Sequence, residues 1–446
     1  MSIKKNDPSI IKAWTFYDWA NSVFPLVITS AIFPNYYEYV TSHDTSGTTD
    51  VFIGDNVTLF GNTFHNQDIY SYVYSFALFI VVLIVPILSG IADYFGNKKR
   101  FLQFFCYLGA FSCMGLFFFD RTNIGLSFIP FITATIGFWG SLVFYNSYLP
   151  EIASEDQQDR VSAMGYARGY FGSSLLLILC LIGIIVFKYD KTTGEGFFKV
   201  KYSFLLTGLW WIGFAQYTFR KLPDSLHKAK GKVNNLFSQG FGELRKVYKK
   251  LKDYSDLKIF LSSYFFYNMG VQTVMVMAVL FARKEITWPD EKTKTNSLIV
   301  SILLIQFLGV AGSYVFSFLS KKLSNIKGLL IAISIWIFIC VFTYTTATLP
   351  VHFYIVAALV GFVMGGIQAL SRSTYSKFLP AAVDHTSWFS FYDVLEKLGM
   401  ILGTLSFGII SQVTGGMRNS VLALIVFFIA GFVILLYLNS KVSRAK

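Results

Sequence analysis

Long apolar runs alternate with shorter polar stretches along the whole 446-residue chain. Each of twelve runs is long enough to cross about 30 Å of hydrocarbon as a helix that rises about 1.5 Å per residue. The runs cover residues 14–37, 70–94, 101–119, 126–149, 161–187, 202–219, 257–281, 297–319, 328–349, 353–379, 389–414 and 420–438. They lack the two-residue alternation of a membrane β-barrel. The pattern therefore predicts an all-α polytopic membrane protein with twelve transmembrane helices.

Composition excludes a water-soluble protein of this length. Charged residues make up 14% of the chain and hydrophobic residues 54%, whereas a soluble domain is about one quarter charged. The mean hydropathy is +0.54. Soluble enzymes, coiled coils, disordered chains and disulfide scaffolds are excluded on this ground, and the expected surroundings are a lipid bilayer.

The distribution of Lys and Arg predicts the orientation in the membrane. With a cytoplasmic N-terminus, the inner connections and tails hold about 25 basic residues and the outer connections about ten. The stretch 41–69 contains Asp44, Asp50, Asp55 and Asp68 but no Lys or Arg, which places it outside. We expect both termini in the cytoplasm and a location in the plasma (bacterial inner) membrane. The positive net charge then marks the inner surface, so no nucleic-acid partner is expected.

The chain repeats some of its own features, which divides it into halves. Residues 16–18 (FYD) match residues 266–268 (FYN), and residues 145–150 match residues 375–380 in their Tyr and Leu-Pro positions. Two related bundles suit alternating access, in which one half rocks against the other. The predicted domains are an N-terminal six-helix bundle (1–219), a basic cytoplasmic connection (220–256) and a C-terminal six-helix bundle (257–446).

A motif follows the second predicted span, where residues 90–100 read GIADYFGNKKR. It resembles the signature of the major facilitator superfamily, which has a Gly, an Asp, another Gly and a basic cluster in this connection. The resemblance implies a gating motif formed by Asp93, Gly96, Lys98, Lys99 and Arg100. This copy has Ser89 four residues before Asp93, and the second-half counterpart, residues 319–325, lacks the Asp. An ordinary positively charged turn is the alternative.

Further segments resemble one branch of the superfamily, a group related to the yeast vacuolar amino-acid effluxer of autophagy. These segments are residues 16–22, 144–153, 267–273, 365–373 and 391–393. The resemblance implies the major facilitator fold, with two pseudo-equivalent six-helix bundles. It also implies export or uptake of a small polar solute.

Charged residues inside predicted spans are the strongest candidates for function. Each costs about 2.5–3.5 kcal/mol at the centre of a span, so these residues must pair, face water or change protonation. Six of them lie about five to nine residues from the inner end of a span, rather than at its edge: Asp18, Arg168, Arg372, Asp393, Glu396 and Lys397. They predict a binding and coupling layer, and its equal numbers of cations and carboxylates favour a zwitterion. Structural ion pairs or a cytoplasmic gate are the alternative.

Two of these carboxylates, Asp18 and Glu396, are candidates for proton coupling, because a buried carboxylate can take up a proton near neutral pH. Amides in spans one, four, seven and ten add candidate solute contacts, since the resemblance implies that these spans line the cavity. They are Asn21, Asn146, Asn268, Gln272 and Gln368. Hydrogen bonding between neighbouring helices is their alternative role.

These observations together predict a secondary active transporter of a small polar, zwitterionic, amino-acid-like solute. It would work by alternating access, with proton coupling as a hypothesis, and as a monomer. A solute sensor without turnover and a membrane-embedded enzyme are the alternatives. The sequence has no phosphate-binding Gly-rich loop and no metal-ligand spacing among its five histidines, so neither ATP hydrolysis nor a cofactor or metal is expected.

Overall fold

The computed structural model describes residues 4–44, 47, 50–59, 61–190, 196–224, 236–380 and 385–444. Its helices up to the connection are α1 (Pro8–Asn21), α2 (Phe33–Ser42), α3 (Asn66–Phe95), α4 (Lys98–Gly115), α5 (Ile124–Ser127), α6 (Ile129–Asn146), α7 (Leu149–Ile152), α8 (Glu155–Val186) and α9 (Tyr202–Lys221). The later helices are α10 (Leu236–Leu251), α11 (Ser255–Glu285), α12 (Glu291–Leu323), α13 (Asn325–Thr345), α14 (Pro350–Phe378), α15 (Thr386–Thr414) and α16 (Met417–Arg444).

The described part of the acidic stretch between α2 and α3 contains four short strands. They are β1 (His43–Asp44), β2 (Val51–Phe52), β3 (Asn56–Leu59) and β4 (Asn62–His65). Strand β1 pairs antiparallel with β2, and β3 pairs antiparallel with β4.

The twelve predicted spans correspond to helices of the structure. Within the described residues, ten helical segments are long and apolar enough to cross a membrane by their length and composition. The two others are the first span, which is divided into shorter pieces, and α9, in which Trp210, Trp211 and Gln216 lower the hydropathy. Several helices extend beyond the predicted boundaries, as α8 does at Glu155, because polar residues continue a helix outside the hydrocarbon. The prediction of an all-α membrane protein is confirmed.

The first span is interrupted just beyond Asn21. A π-helical segment, Phe24–Ala31, separates α1 from α2. Its second residue is Pro25, and the second residue of α2 is Pro34. Proline has no N–H to donate, so the regular hydrogen-bond ladder stops at Pro25. The hydroxyls of Thr29 and Ser30 donate to the Pro25 carbonyl at 2.7 and 2.8 Å. Helix α1 ends at Asn21, about one turn after Asp18, so the irregular backbone begins close to that residue.

Each half has its own apolar core. In the first half α4 packs against α6 and α9, and in the second α11 packs against α15 and α16. Large aromatic side chains fill both cores, as where Trp336 stacks on Phe428 with ring centroids 5.4 Å apart. The domain boundaries remain a prediction, and residues 225–235 of the basic connection lie outside the described residues.

The halves meet along two helix interfaces. Helix α8 packs against α12 and α14, and α3 packs against α15. A small residue permits close approach at the first interface, because a Cβ on Gly309 of α12 would lie only 3.1 Å from the Tyr170 ring of α8. The candidate site lies between these interfaces.

Candidate functional site

A cavity of about 570 Å³ lies between the two halves of the helical bundle. Its deep wall includes the polar residues Asp18, Asn21, Asn146, Tyr166, Asn268, Gln272, Gln368, Arg372 and Glu396. Its mouth includes Asn35, Glu38, Gln67, Asp68 and Arg283. These mouth residues lie at the helix ends remote from residues 93–100. We call the end with residues 93–100 the motif face and the other end the open face.

An ion pair between Asp18 and Arg372 joins α1 to α14 at the floor of the cavity. Both terminal guanidinium nitrogens lie 3.4 Å from Asp18 Oδ2. The Tyr145 hydroxyl donates to the same oxygen at 2.6 Å. The two charged side chains are 2% and 6% exposed. Because an unpaired charge at this depth is costly, each of them requires the other.

The remaining donors of Arg372 are taken up by the first half. Arg372 Nε donates to Ser162 Oγ at 2.9 Å, and Nη2 donates to the Ser162 carbonyl at 2.9 Å. Arg372 Nη1 donates to Asn146 Oδ1 at 3.2 Å. The guanidinium carbon lies 4.1 Å from the ring centroid of Tyr166 and 4.9 Å from that of Trp14. One side chain of the second half is therefore held by α1, α6 and α8 of the first half.

Glycine at position 165 makes room for this ion pair. A Cβ there would overlap Asp18 Oδ2 and lie 2.9 Å from Arg372 Nη2. A Cβ at Gly169, one turn later, would overlap the Ser22 hydroxyl. The two glycines face α1 because residues four apart share one side of a helix. They set the close packing of α8 against α1.

A second charged group lies on α15. Lys397 Nζ donates to Asp393 Oδ1, four residues earlier, and lies 3.4 Å from Glu396 Oε2. The Lys397 ammonium also lies 3.7 Å from the ring centroid of Trp139 on α6. Lys397 is fully buried, and of the three charged residues Glu396 lines the cavity. The Asp393–Lys397 pair lies behind it.

Three of the predicted amides connect helices around the cavity. Gln272 Nε2 donates to Glu396 Oε1 at 2.8 Å, and Asn268 Nδ2 donates to the Glu396 carbonyl at 3.3 Å. Gln368 Oε1 accepts a hydrogen bond from the Tyr170 hydroxyl at 2.5 Å. All three amides also line the cavity, so they can orient a solute as well as the neighbouring helix.

The other two amides flank the Asp18–Arg372 pair. Asn146 lines the cavity and accepts from Arg372. Asn21 also lines the cavity and is buried, yet its Nδ2 has no hydrogen-bond partner in the part of the chain that the structure describes. An unsatisfied buried donor costs about 1–3 kcal/mol, so this amide is available to an incoming acceptor.

Arg168 lies apart from the other five membrane charges. Its Nη1 donates to the Lys12 carbonyl at 3.0 Å and to the Thr15 hydroxyl, and it does not line the cavity. The depth of Arg168 along its span predicted that it would join the other five charges. Its position around the α8 axis instead directs its side chain toward the start of α1. The expectation of one layer of six charges is wrong in this respect.

The motif face is closed at Asp93. Its carboxylate accepts hydrogen bonds from the backbone N–H groups of Thr386 at 3.2 Å and Ser387 at 2.6 Å, which begin α15. A carboxylate at a helix N-terminus satisfies free N–H groups and complements the helix dipole. Gly96 ends α3 with φ +63°, a left-handed conformation that favours glycine. The Asp93 contact joins the two halves.

The basic residues of the motif make contacts within the first half. Lys98 pairs with Glu151 and lies 4.0 Å from the Tyr148 ring centroid. Lys99 donates to the Leu222 carbonyl at 2.8 Å. Arg100 is exposed in the first turn of α4. This cluster holds the start of α4 against α7 and the end of α9.

A second closure lies at Asp159 on α8. Its Oδ2 accepts from Lys377 Nζ at 2.7 Å and from Ser320 Oγ at 3.0 Å. Its Oδ1 accepts from Asn325 Nδ2 at 2.6 Å. Residues 319–325, the second-half counterpart of the motif, contain no Asp. The carboxylate of Asp159, from the first half, binds to them instead.

Some of the residues that build the site were not predicted from the sequence. Asp159 lies two residues before a predicted span and Lys377 lies near the end of another, so neither counted as a charge within the membrane. Ser162 and Tyr166 carry no charge, but they share the helical face of Gly165. That spacing was the available signal.

Comparisons with known proteins agree with this architecture. The family described as vacuole effluxer Atg22 like matches residues 6–446. The uncharacterized MFS-type transporter YxiO of Bacillus subtilis (strain 168) is 30% identical over 431 residues, which are 97% of this chain and 95% of that protein. Autophagy-related protein 22 of Vanderwaltozyma polyspora is 26% identical, over 94% of this chain and 88% of that protein.

Two solved structures share the fold at low sequence identity. The E. coli fucose:proton symporter has a TM-score of 0.66 at 13% identity, over 96% of this chain and 97% of that one. A bacterial homologue of the iron transporter ferroportin, in an outward-facing state, has a TM-score of 0.64 at 11% identity, over 97% and 98% of the two chains. The major facilitator fold predicted from the sequence is confirmed, and these relatives and neighbours are transporters rather than enzymes. The chain belongs to the Atg22-like vacuole effluxer family of the major facilitator superfamily and is an integral membrane secondary transporter.

Proposed function

We propose that this transporter moves a small polar, zwitterionic, amino-acid-like solute by alternating access, coupled to protons. One observation carries the proposal. The Asp18–Arg372 pair joins the two halves at the floor of a cavity that opens at one face and is closed at the other. A charged contact in this place responds both to the solute and to the movement of the halves.

The size and lining of the cavity support a small polar solute. A volume of about 570 Å³ lies within the range of small-molecule sites, about 300–1,000 Å³. Carboxylates and amides line its deep part, so it offers a charged partner for a cationic group and hydrogen-bond donors for an acidic one. The family description, vacuole effluxer Atg22 like, supports the movement of a solute across a membrane. The amino-acid type comes from the sequence resemblance to the yeast vacuolar amino-acid effluxer.

The contacts at the motif face support alternating access. Asp93 and Asp159 each join the halves there, and these contacts must break before the cavity can open on that side. On the open face, Arg283 donates to Asn35 Oδ1 at 3.0 Å and lies 3.8 Å from Glu38. This weaker bridge between α11 and α2 can tighten as the opposite face opens.

Asp18 is the proposed proton carrier. When the halves part at the motif face, Arg372 moves away with α14 and Asp18 loses its counter-ion. A carboxylate left alone in a low-dielectric site takes up a proton more readily. Proton uptake and conformational change are thereby linked.

We place the motif face and both termini in the cytoplasm, in a plasma (bacterial inner) membrane, with a monomer as the working unit. The state described is then outward-open. The N-terminal bundle (1–219) and the C-terminal bundle (257–446) would be the two moving bodies, linked by the basic connection.

A screen followed by a flux assay tests the proposal. Purified protein is first tested for thermal stabilisation by amino acids, peptides, sugars and organic acids, because a ligand of the folded state raises its apparent stability. The best ligands are then measured for flux into proteoliposomes. Saturable flux of an amino-acid-like solute supports the proposal. Binding without flux would indicate a sensor, and flux restricted to sugars or organic acids would contradict the solute class.

A further inference from the structure

The charges around the deep cavity do not balance once Arg168 is excluded. Among the described residues, three carboxylates remain there, Asp18, Asp393 and Glu396, against two cations, Arg372 and Lys397. The deep site therefore carries an excess of one negative charge. Such an excess calls for a cation, supplied by the solute or by a proton.

The excess negative charge belongs to Glu396. Asp18 has Arg372 as its counter-ion, and Asp393 is directly hydrogen-bonded to Lys397. Both of these carboxylates are at most 7% exposed, whereas the Glu396 side chain is 18% exposed and lines the cavity. Lys397 lies 3.4 Å from Glu396 but closer to Asp393, so its charge is largely compensated by Asp393.

Aromatic side chains line the same cavity as this carboxylate. The rings of Trp139, Tyr74, Tyr166, Tyr264 and Tyr392 all line the cavity. Cations of the protein already lie on two of these rings, Lys397 on Trp139 and Arg372 on Tyr166, so the rings of this wall attract positive charge. A carboxylate in the same cavity as such rings is a suitable environment for a further ammonium group, which is attracted by both.

The cations of the deep cavity offer little to a solute carboxylate. The Nε and both terminal nitrogens of Arg372 donate to Asp18, Asn146 and Ser162. Lys397 is fully buried against Asp393. An acidic group on the solute therefore meets amides such as that of Asn21 rather than an uncompensated cation.

We propose that Glu396 and this aromatic wall form a subsite for the protonated amino group of the solute. The inference rests on the proposed function and makes it more specific. Solutes with a free amine bind, solutes in which the amine is blocked do not, and neutralising the solute's carboxylate is tolerated.

Three related probes test this subsite in the purified full-length protein. Phenylalaninamide is a cation, phenylalanine a zwitterion and N-acetylphenylalanine an anion, and an aromatic side chain suits the aromatic wall. We expect the amide and the amino acid to raise the thermal stability at concentrations about tenfold or more below those at which the N-acetyl compound acts. Equal or stronger stabilisation by the N-acetyl compound would overturn the proposal, and so would stabilisation by none of the three.

Variants assign the preference to Glu396. Glu396→Gln should abolish the ranking of the probes, while Glu396→Asp, which keeps the charge, should retain it with weaker binding. Glu291→Gln is the matched control, because Glu291 is exposed on α12 and pairs with Lys294 outside the cavity. An unchanged ranking in a folded Glu396→Gln protein would contradict the assignment. If that variant does not fold, the wild-type ranking together with Glu396→Asp decides.

Flux separates this subsite from the transport proposal. A wild type that carries the N-acetyl compound into proteoliposomes as well as the amino acid would keep the transport function and remove the ammonium subsite. Absence of flux for every solute that binds would remove the transport proposal, while an amine preference in binding would leave the subsite standing.

Discussion

The guanidinium of Arg372 contacts the carboxylate of Asp18 although the two residues are 354 positions apart in the chain. They come from α14 and α1, in opposite halves of the transporter. Both are almost fully buried, and yet both reach the cavity between the halves. This contact connects the binding site, the first-span break and the interface that must move during transport.

Removing one partner of this pair should be far more costly than removing both. Asp18→Asn or Arg372→Gln leaves a buried charge without its counter-ion, which costs about 3–5 kcal/mol in the free energy of unfolding. The double variant should recover a large part of that loss. Denaturant unfolding in detergent measures the coupling through a double-mutant cycle. The same cycle on the exposed Glu291–Lys294 pair should give less than about 1 kcal/mol. Strictly additive effects at Asp18 and Arg372 would show that the pair is not coupled.

Gly165→Ala should damage the site through a single methyl group. The added Cβ overlaps the Asp18 carboxylate and approaches Arg372 Nη2, so either the ion pair or the α1–α8 packing must shift. We expect a loss of about 1–3 kcal/mol in unfolding free energy, together with weaker solute binding. Gly408→Ala on α15 is the control, since a Cβ there meets no atom within 4 Å of the described structure. Alanine at that position should leave stability unchanged or raise it by up to about 1 kcal/mol. Equal behaviour of the two variants would contradict the packing argument.

Asp93→Asn should shift the transporter away from the open-face state. The substitution removes the charge that caps α15, which is worth about 1 kcal/mol, or roughly a fivefold change in population. A cysteine at position 275 reports the change, because Met275 lines the cavity and is 37% exposed. Its labelling from the open face should slow in the Asp93→Asn background. The four native cysteines are buried and contribute little background.

Asp290→Asn provides the control for this labelling experiment. Asp290 also caps a helix, accepting from the Thr293 N–H at 2.8 Å, but it does so at the start of α12 on the open face. Asp290 does not contribute to the closure of the motif face. The labelling rate of Met275→Cys in the Asp290→Asn background should therefore equal the rate without that substitution. A similar slowing in both variants would mean that the effect comes from helix stability in general rather than from the gate.

The two closures of the motif face should act independently. Asp159 contacts Lys377, Ser320 and Asn325, none of which is bonded to Asp93. Asp159→Asn should therefore slow Met275→Cys labelling on its own. The double variant with Asp93→Asn should show the product of the two rate effects. A double variant no slower than either single variant would indicate one shared closure.

The sequence alone predicted the architecture and part of the site. Span positions follow from the length of apolar runs, and Pro25 accounts for the break in the first span because proline removes a helical hydrogen bond. The energetic cost of charges in a bilayer identifies Asp18 and Arg372 as candidate functional residues, but it does not indicate that they contact each other.

The pairing of side chains was beyond sequence reasoning. Which charges meet depends on the rotation of each helix about its axis and on contacts between distant segments. Arg168 lies at the same depth as Arg372 but faces the start of α1. Asp159 of the first half supplies the carboxylate that the turn at residues 319–325 of the second half lacks. The excess negative charge at Glu396 follows from the position of the Arg168 side chain outside the cavity, which the sequence does not show.

Solute accumulation driven by a proton gradient tests the central claim most directly. Proteoliposomes containing wild type or Asp18→Asn are given an imposed pH gradient, and the solute identified by the screen is followed over time. Exchange of labelled for unlabelled solute without a gradient serves as the control for folding and binding. We predict that the wild type accumulates solute against its gradient, and that Asp18→Asn exchanges solute but does not accumulate it. Equal accumulation by both proteins, or wild-type flux indifferent to the pH gradient, would contradict the account.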